Sequence, residues 1–565
     1  MAGGHIAILL HAHLPFIRHP EHDSFLEETW LFEAITESYI PLLDALGRLV
    51  DDGVRFRLTL SLSPTLVAML RDPVLQGRYL DHMGRLTALA EAEVRRTHAD
   101  LGLQPLARHY ARWFAETVER FYGLYGRDLV GAFARLQSEG VLELITTAAT
   151  HGYLPLLRHQ PGAVRAQIEI GQQSHRSAFG RPAVGMWLPE CGYHPSVEDE
   201  LARVGARYFV LETHGVLGAS PPPRRGIHAP VACPNGVAAF GRDPASSRQV
   251  WSAEEGYPGD PVYRDFHRDL GYELPLEALA GFASGQGRVP TGIKYWRVTG
   301  PGLHREPYDP DAAAVRALDH AAHFVAERVR ALSDAPVARG DGPPVLACPY
   351  DAELFGHWWL EGPRWLEAVL RGLDRERRHA EAITPGDYLD RYGPGQTGRP
   401  LASSWGERGY HDYWLSESNA WVYPHLHDAA RRMQDLATAH HAEPPGTPAY
   451  RALQQAARCL LLAQASDWTF LMRSGTAVDY AQGRVRDHLA RFNYLESGIV
   501  SGQLDLRMLG AIEVLDDVFP DIDFRAYAQT DAPHPAEAGS SCQAGEVRAP
   551  TLALAGAEAA CPRVE

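Results

Sequence analysis

Two acidic residues stand in aromatic, proline-containing stretches that are otherwise typical of buried chain. Glu190 lies in MWLPECGYHP (186–195) and Asp351 in CPYDAELFGHWW (348–359). Taken singly, each carboxylate could simply cap the start of a helix. Brought together, the two could cleave a glycosidic bond, because one attacks the anomeric carbon while the other, its pKa raised by apolar neighbours, protonates the leaving oxygen.

The sequence His11-Ala12-His13 is a second pattern that could do chemistry. Residues i and i+2 of a strand share a face, so the two imidazoles could hold a metal ion. A zinc site needs further ligands, however, and no HxxxH or HxxE helix pattern follows, while a chance HxH is expected among 27 histidines. We therefore predict no metal and no cofactor, and favour hydrogen bonding of these histidines to a sugar.

The tryptophans are consistent with a sugar ligand. The chain has 12 of them, and several stand in polar, glycine-containing segments such as SSWGERGYHDYW (403–414). Pyranose rings stack on indole faces, although each tryptophan taken alone is more often a core residue. The 403–414 segment fits the core alternative least, because its composition would make a poor core.

Seven short β-rich runs alternate with helical stretches over about the first 390 residues. They are largely apolar on both faces, which is typical of a covered parallel sheet, and they predict an incomplete or distorted barrel. The runs are HIAILLHAH (5–13), VRFRLTLSLS (54–63), LELITTAATH (142–151), AVGMWLPE (183–190), RYFVLETH (207–214), VLACPYDAE (345–353) and AEAITP (380–385).

Nearly every run ends in a polar or ionisable residue. Because the carboxyl ends of parallel barrel strands converge on one site, six such endings out of seven predict a shared pocket. The endings are His11 and His13, Ser61 and Ser63, His151, Glu190, Glu212 and His214, and Asp351 and Glu353.

The pattern predicts an α/β protein whose barrel is interrupted and followed by helices. We assign residues 1–75 and 141–395 to the barrel, with lid loops at 216–300 where Gly, Pro and aromatics dominate, and 76–140 to a small inserted helical domain. Residues 396–528 are predicted to form a C-terminal helical domain that contributes aromatics to the site. The tail, 529–565, is rich in Ala, Pro, Gly and Ser and is predicted to be disordered.

Composition excludes several classes of protein. The net charge of −16 argues against a nucleic-acid or anionic-membrane partner, and no apolar run approaches the roughly 20 residues of a membrane helix. The N-terminal segment is interpreted as a first strand and not as a signal peptide.

Six scattered cysteines without CxxC pairs favour reduced thiols and a cytoplasmic location. The oligomeric state is not determined by the sequence; a monomer is the default expectation.

Five segments together resemble glycoside hydrolase family 57. They are HAHLP (11–15), THGYLPLL (150–157), GMWLPECGYHP (185–195), CPYDAELFGHWW (348–359) and the aromatic block 403–424. That block and SDWTFLMRSGTAVDYAQGRVRDHLARF (466–492) are most similar to the α-1,4-glucan branching enzymes of the family. Many members begin with His-Gln-Pro-His; the HAHLP found here is usual in the branching subgroup.

The resemblance implies a distorted (β/α)7 barrel, retention of anomeric configuration, no required metal, and an α-1,4-glucan such as amylose or a glycogen-like polymer as partner. It implies that Glu190 is the nucleophile and Asp351 the general acid/base. The implied substrate-binding residues are His11 and His151 in the donor subsite, Trp30, Trp296, Trp405 and Trp414 stacking on the glucan, and Asp467 and Arg264 bonding its hydroxyls.

Other functions remain open at this stage. An α-amylase or a 4-α-glucanotransferase would use the same carboxylates and differ only in the acceptor, which no short motif identifies. A long lid that excludes water favours transfer. A non-catalytic glucan-binding protein would not need both carboxylates, and a zinc-dependent glycosidase or deacetylase is retained only because of the HAH pattern.

Overall fold

A computed structural model of the chain describes residues 3–252, 255–279, 281–282, 288–300, 302–336 and 342–529. The predicted disordered tail therefore lies almost wholly outside the described residues. The strands are β1 (His5–Ala12), β2 (Leu58–Leu62), β3 (Leu142–Thr147), β4 (Met186–Trp187), β5 (Tyr208–Leu211), β6 (Val231–Ala232), β7 (Ala238–Gly241), β8 (Val345–Asp351), β9 (Glu381–Ala382) and β10 (Gln396–Thr397).

Seven of these strands form a parallel ring within the described part of the chain. Ladders join β4 to β3, β3 to β2, β2 to β1 and β1 to β8, and a further parallel ladder joins β5 to β7. Single parallel bridges close the two remaining gaps, Gly185 to Tyr208 between β4 and β5, and Arg242 to Ala347 between β7 and β8. The α/β class and the seven-stranded distorted barrel are thus confirmed.

One predicted strand is wrong in its role. The run at 380–385 forms only β9, which pairs with the first two residues of β1. From Leu9 onward, β1 pairs with β2 instead. The ring instead uses β7, which lies in the segment that we expected to be lid loops. β7 escapes sequence inspection because it is short, contains two alanines, ends in Gly241 and closely follows Gly236.

The helices surround the ring and fill the C-terminal part of the chain. They are α1 (Glu28–Ala34), α2 (Ile40–Asp51), α3 (Pro64–Arg71), α4 (Pro73–Arg96), α5 (Leu103–Glu119), α6 (Leu129–Ser138), α7 (Leu154–Leu157), α8 (Pro161–Phe179), α9 (Glu198–Arg203), α10 (Thr213–Leu217), α11 (Pro244–Trp251), α12 (Leu270–Glu273), α13 (Leu276–Leu279), α14 (Pro310–Ser333), α15 (Gly362–Arg375), α16 (Pro385–Tyr392), α17 (Val422–Ala439), α18 (Pro448–Ala463), α19 (Ser466–Ser474), α20 (Val478–Ser501) and α21 (Leu506–Leu515).

Local sequence explains where several helices start and stop. α3 begins after Ser63, whose hydroxyl accepts a hydrogen bond from the Leu66 amide, with Pro64 at the first helical position. α8 ends at Gly180, whose φ of 73° is the left-handed conformation that glycine adopts freely. No described helix is both long and apolar enough to cross a membrane.

The predicted helical insertion and C-terminal region are helical, as α4–α6 and α17–α21 show. The buried residues of α4 and α5 join the same apolar core as β1, β2 and β8. The division of the chain into domains at 76–140 and 396–528 stays a prediction.

Strand periodicity sets which side chains point into the barrel. Alternate residues of four strands form one interior apolar cluster, so the next inward position at each carboxyl end faces the barrel mouth. The cluster contains Ala7 and Leu9 of β1, Tyr208 and Val210 of β5, Ala238 and Phe240 of β7, and Val345 and Ala347 of β8. The next inward positions are His11, Glu212 and Arg242 on β1, β5 and β7; on β8 the next is Pro349, and the one after it is Asp351, which lies level with His11.

Candidate active site

Glu190 lies in the turn that follows β4, with a strained backbone. Its φ is 63° and that of the next residue, Cys191, is 48°, a conformation that costs free energy for any residue but glycine and that concentrates at functional sites. The turn is fixed from outside the barrel, because the Trp405 amide donates to the Glu190 carbonyl at 3.1 Å. The strained turn directs the carboxylate into the mouth.

Both oxygens of the Glu190 carboxylate accept hydrogen bonds. The Trp405 indole N–H donates to Oε2 at 2.9 Å, and the Ser466 hydroxyl donates to Oε1 at 3.0 Å. Burial raises the pKa of Glu190 to about 7, and these two donors oppose that rise because they stabilise the charged form. Near neutral pH this carboxyl can therefore be ionised.

Asp351 ends β8, directly beside His11 in the β1–β8 ladder. Among the described residues no donor lies within hydrogen-bonding distance of its carboxylate. Burial, then Glu353, then Glu190 raise the pKa of Asp351 well above its usual range, and Arg242 is the opposing cation. Without donors and beside other carboxylates, Asp351 is the group that keeps its proton.

A chain of hydrogen bonds connects the barrel to Glu190 through two histidines. Ser61 Oγ lies 3.1 Å from His11 Nδ1, His11 Nε2 lies 3.0 Å from His151 Nε2, and His151 Nδ1 lies 2.9 Å from Ser466 Oγ. Burial, followed by the charge of His13, lowers the pKa of His11 and His151 far below the usual value, so both imidazoles are neutral.

The hydrogen bond from Ser466 to Glu190 fixes which group donates at each step of this hydrogen-bond chain. Ser466 donates to Glu190, so its oxygen accepts from His151 Nδ1–H, and His151 Nε2 must then accept from His11 Nε2–H. His11 Nδ1 is left to accept from the Ser61 hydroxyl. Every donor in the chain is thus oriented toward the carboxylate, which fixes both histidine tautomers.

His13 differs from the other two histidines because it is paired with an acid. Its Nε2 lies 3.1 Å from both oxygens of Asp467. Burial favours the neutral imidazole, but Asp467, Glu353 and Glu190 outweigh it and raise the pKa of His13. A charged imidazolium therefore lies beside the neutral pair.

His13, His151 and Asp467 also lie close enough to share an ion, with one ligand atom from each within 4.8 Å of the others. The two imidazoles, however, stack face to face with their centroids 3.9 Å apart and their planes at 21°. Their in-plane lone pairs therefore run side by side and do not converge on one point. The absence of a metal requirement stays a prediction.

The structure brings together six of the ten residues proposed from the sequence. Glu190, Asp351, His11, His151, Trp405 and Asp467 lie in this one cluster. Trp30 lies against Tyr480, whereas the Trp296 indole N–H donates to Glu273 at 2.9 Å. The described contacts of Trp30 and Trp296 do not include either carboxylate.

Two residues proposed to contact the substrate are buried in this conformation. Trp414 is only 1% exposed and stacks on Tyr153 with a centroid distance of 4.5 Å, so it has no open face for a sugar. The Arg264 guanidinium is buried against Glu37 at 3.6 Å and bonds backbone carbonyls, so it does not present donors to a ligand. Both side chains support the walls of the site.

Sequence inspection did not propose Ser466 or Arg242 as functional positions, whereas His13 was considered as part of the HAH pattern. Ser466 directly precedes Asp467 at the start of α19, so proximity in sequence was an available indication. Arg242 gave no indication, because the strand that carries it was not recognised.

Comparison with known proteins gives two family matches. Residues 7–251 match the model of glycosyl hydrolase family 57, and residues 425–527 match that of the 1,4-alpha-glucan branching enzyme C-terminal region. The chain is 33% identical to the 1,4-alpha-glucan branching enzyme of Thermococcus kodakarensis, over 94% of this chain and 79% of that protein.

Two solved structures are similar over almost their whole length. The alpha-amylase AmyC of Thermotoga maritima superposes with a TM-score of 0.86 at 39% identity, covering 93% of this chain and 99% of that one. The GH57-type branching enzyme of Pyrococcus horikoshii superposes with a TM-score of 0.83 at 34% identity, covering 94% of this chain and 98% of that one.

Proposed function

The chain belongs to glycosyl hydrolase family 57, and from that premise we propose that it is a 1,4-α-glucan branching enzyme. It cleaves an α-1,4 bond, keeps the donor glucan on the enzyme, and transfers it to the C6 hydroxyl of an acceptor glucan. The match of residues 425–527 to the branching-enzyme C-terminal region supports transfer over other activities of the family.

The observation that carries the chemistry is the unequal environment of two buried carboxyls at one barrel mouth. Glu190 accepts hydrogen bonds from Trp405 and Ser466, whereas the charged groups that act on Asp351 are Glu353, Glu190 and Arg242. When two interacting carboxyls share one proton, donors on one of them place the proton on the other. Glu190 is then the nucleophile and Asp351 the acid.

In the first half of the reaction, a Glu190 oxygen attacks C1 of the donor sugar. The C1–O4 bond breaks, and the Asp351 proton passes to the leaving O4. The result is a glucosyl ester on Glu190, an ionised Asp351, and a released reducing-end fragment.

In the second half, Asp351 acts as the base. The acceptor C6 hydroxyl gives its proton to Asp351 while its oxygen attacks C1, and the ester bond to Glu190 breaks. Two displacements at the same carbon retain the anomeric configuration, so the new linkage is α-1,6.

We further propose that the polar cluster around Glu190 holds the donor sugar. His11 and His151 line this subsite with imidazole rings that the hydrogen-bond chain holds in place, Asp467 provides carboxylate oxygens, and Trp405 provides an indole next to the nucleophile. Trp30 and Trp296 remain proposed glucan contacts. Trp414 and Arg264 are left out of this proposal because both side chains are buried against other protein groups.

Hydrolysis is the second candidate, and the high structural similarity to a protein named an alpha-amylase favours it. The two functions differ only in whether a sugar hydroxyl or water takes the glucosyl group. Incubation with amylose, followed by a debranching enzyme and chain-length analysis, separates them. Branching predicts new α-1,6 linkages with few new reducing ends; reducing ends without branches would establish hydrolysis.

We also propose that the protein acts in the cytoplasm on a storage glucan. The four cysteines in the described ranges are buried free thiols, which suits a reducing compartment. Light scattering of the purified chain would test the expectation that it is a monomer.

A further inference from the structure

Arg242 lies at the barrel mouth on the strand that sequence inspection missed. It follows β7 and pairs with Ala347 of β8, while the adjoining residues Leu211 and Gly241 bring it next to Glu212 of β5. Its side chain is inward-facing by strand periodicity, like that of Asp351.

The Arg242 guanidinium is held in place on three sides. Nη1 donates to Glu212 Oε2 at 2.9 Å and Nε donates to Ser247 Oγ at 2.5 Å. The guanidinium carbon lies 5.5 Å from the centre of the Trp405 ring, whose N–H donates to Glu190. Both partners of the Arg242–Glu212 pair are largely buried, with 13% and 18% of their side chains exposed.

The charges around Asp351 come from several elements. Glu353 lies on the turn after β8 and Glu190 on the turn after β4, and both disfavour ionisation of Asp351, whereas Arg242 favours it. The thiol of Cys191 lies among the same groups: burial raises the pKa of this thiol, with Arg242 opposing and Glu212, Asp351 and Glu190 adding to the rise. Arg242 is thus the cation that acts on Asp351 in this group.

We propose that Arg242, ion-paired with Glu212, is a positioning residue that provides the counter-charge for the Asp351 carboxylate between the two halves of the reaction. The inference rests on the proposed function, because a double displacement requires Asp351 to lose its proton and then recover one. After the first half Asp351 is ionised and still beside Glu353. Arg242 stabilises that carboxylate until the acceptor hydroxyl donates its proton.

The test uses two variants of one ion pair that should act in opposite directions. Removing the cation in Arg242→Met should raise the pKa of Asp351. The basic limb of the pH profile of kcat/KM on amylose should therefore move to higher pH by about one unit, the scale of the effect of a nearby charge on the pKa of a buried carboxyl. Removing the counter-anion in Glu212→Gln should move the same limb down. Arg242→Lys keeps the charge and should restore most of the wild-type limb.

Arg207→Met is the matched control, since Arg207 precedes β5 at the opposite end of the barrel and pairs with exposed Asp390. The basic limb of the kcat/KM profile of Arg207→Met should lie at the same pH as that of the wild type. An unchanged limb in Arg242→Met, or shifts in the same direction in Arg242→Met and Glu212→Gln, would overturn the proposal. If Arg242→Met does not fold, the test rests on Glu212→Gln. A basic limb of its kcat/KM profile that does not move to lower pH would then overturn the proposal.

The rate is followed as loss of the amylose–iodine complex, which reports cleavage whatever the acceptor. A wild-type enzyme that forms no α-1,6 linkages but shows the opposite limb shifts would refute branching and leave the role of Arg242 intact. An enzyme that branches amylose without those shifts would refute only the role of Arg242.

Discussion

The surroundings of Glu190 and Asp351 differ although both are buried carboxyls at one barrel mouth. Glu190 has an indole N–H on one oxygen and a hydroxyl on the other, from Trp405 and Ser466. Asp351 faces carboxylates and one arginine. On the proposed assignment of roles, hydrogen-bond donors, more than burial, determine which carboxyl carries the charge.

The donors also come from a different part of the chain than the carboxyls. Glu190 and Asp351 follow barrel strands, whereas Trp405 and Ser466 are 215 and 276 residues from Glu190 in sequence. The barrel alone thus positions two similar acids. The segment after the barrel makes their surroundings unequal, so on the proposed mechanism Trp405 and Ser466 are positioning residues that lie outside the ring.

The largest effect is expected for Glu190→Gln, because no glucosyl ester can form. Activity on every glucan should fall by a factor on the order of 10⁴ or more, the scale on which enzymes lose activity when a catalytic nucleophile is removed. Initial rates on amylose measure this. Glu143→Gln makes the same change in a partly buried carboxyl near the start of β3, where Thr384 donates to it at 3.2 Å, and should retain most activity.

Asp351→Ala should lose less, and the loss should depend on the leaving group. On amylose we expect about 10²–10⁴-fold, the usual contribution of a general acid. A glucosyl fluoride needs little protonation to depart, so formation of the glucosyl ester from it should be nearly unaffected. Equal loss on both donors would show that Asp351 is not the acid.

A smaller effect is expected when one donor to Glu190 is removed. In Ser466→Ala the pKa of Glu190, already raised to about 7, should rise further. The reaction needs this group ionised, so the acidic limb of kcat/KM should move up by about one unit, the value of a hydrogen bond to a charged group.

The loss in Ser466→Ala should accordingly be greatest below pH 7 and become small only above the shifted acidic limb. Trp405→Phe should shift the same limb in the same direction. Ser333→Ala removes an exposed hydroxyl that bonds only the helix backbone at Val329 and is the control. A shift of the basic limb in place of the acidic one would exchange the roles of the two carboxyls.

No effect is expected from removing metal ions. Exhaustive chelation should leave the branching rate unchanged, because two carboxyls supply the acid, base and nucleophile. Loss of activity that Zn²⁺ restores would instead identify His13, His151 and Asp467 as a working metal site.

The sequence predicts the parts of the site that are contiguous. Aromatic and proline-containing segments identified Glu190 and Asp351, and polar strand ends identified His11 and His151, because strand periodicity links position to face. Tertiary contacts could not be predicted from the sequence, because Ser466 contacts Glu190 only when the C-terminal helices pack against the barrel. The burial of Trp414 behind Tyr153 likewise depends on the fold, since exposed and buried indoles have the same sequence pattern.

The central claim is that Glu190 carries the glucosyl group, and the adduct itself tests it most directly. Asp351→Ala should accept a glucosyl unit from an α-glucosyl fluoride and release it slowly, because the base for the second half is missing. Digestion and mass spectrometry should then find one added glucosyl unit on the peptide that contains Glu190. The same mass increment on another residue, or no adduct while the fluoride is still consumed, would contradict the account.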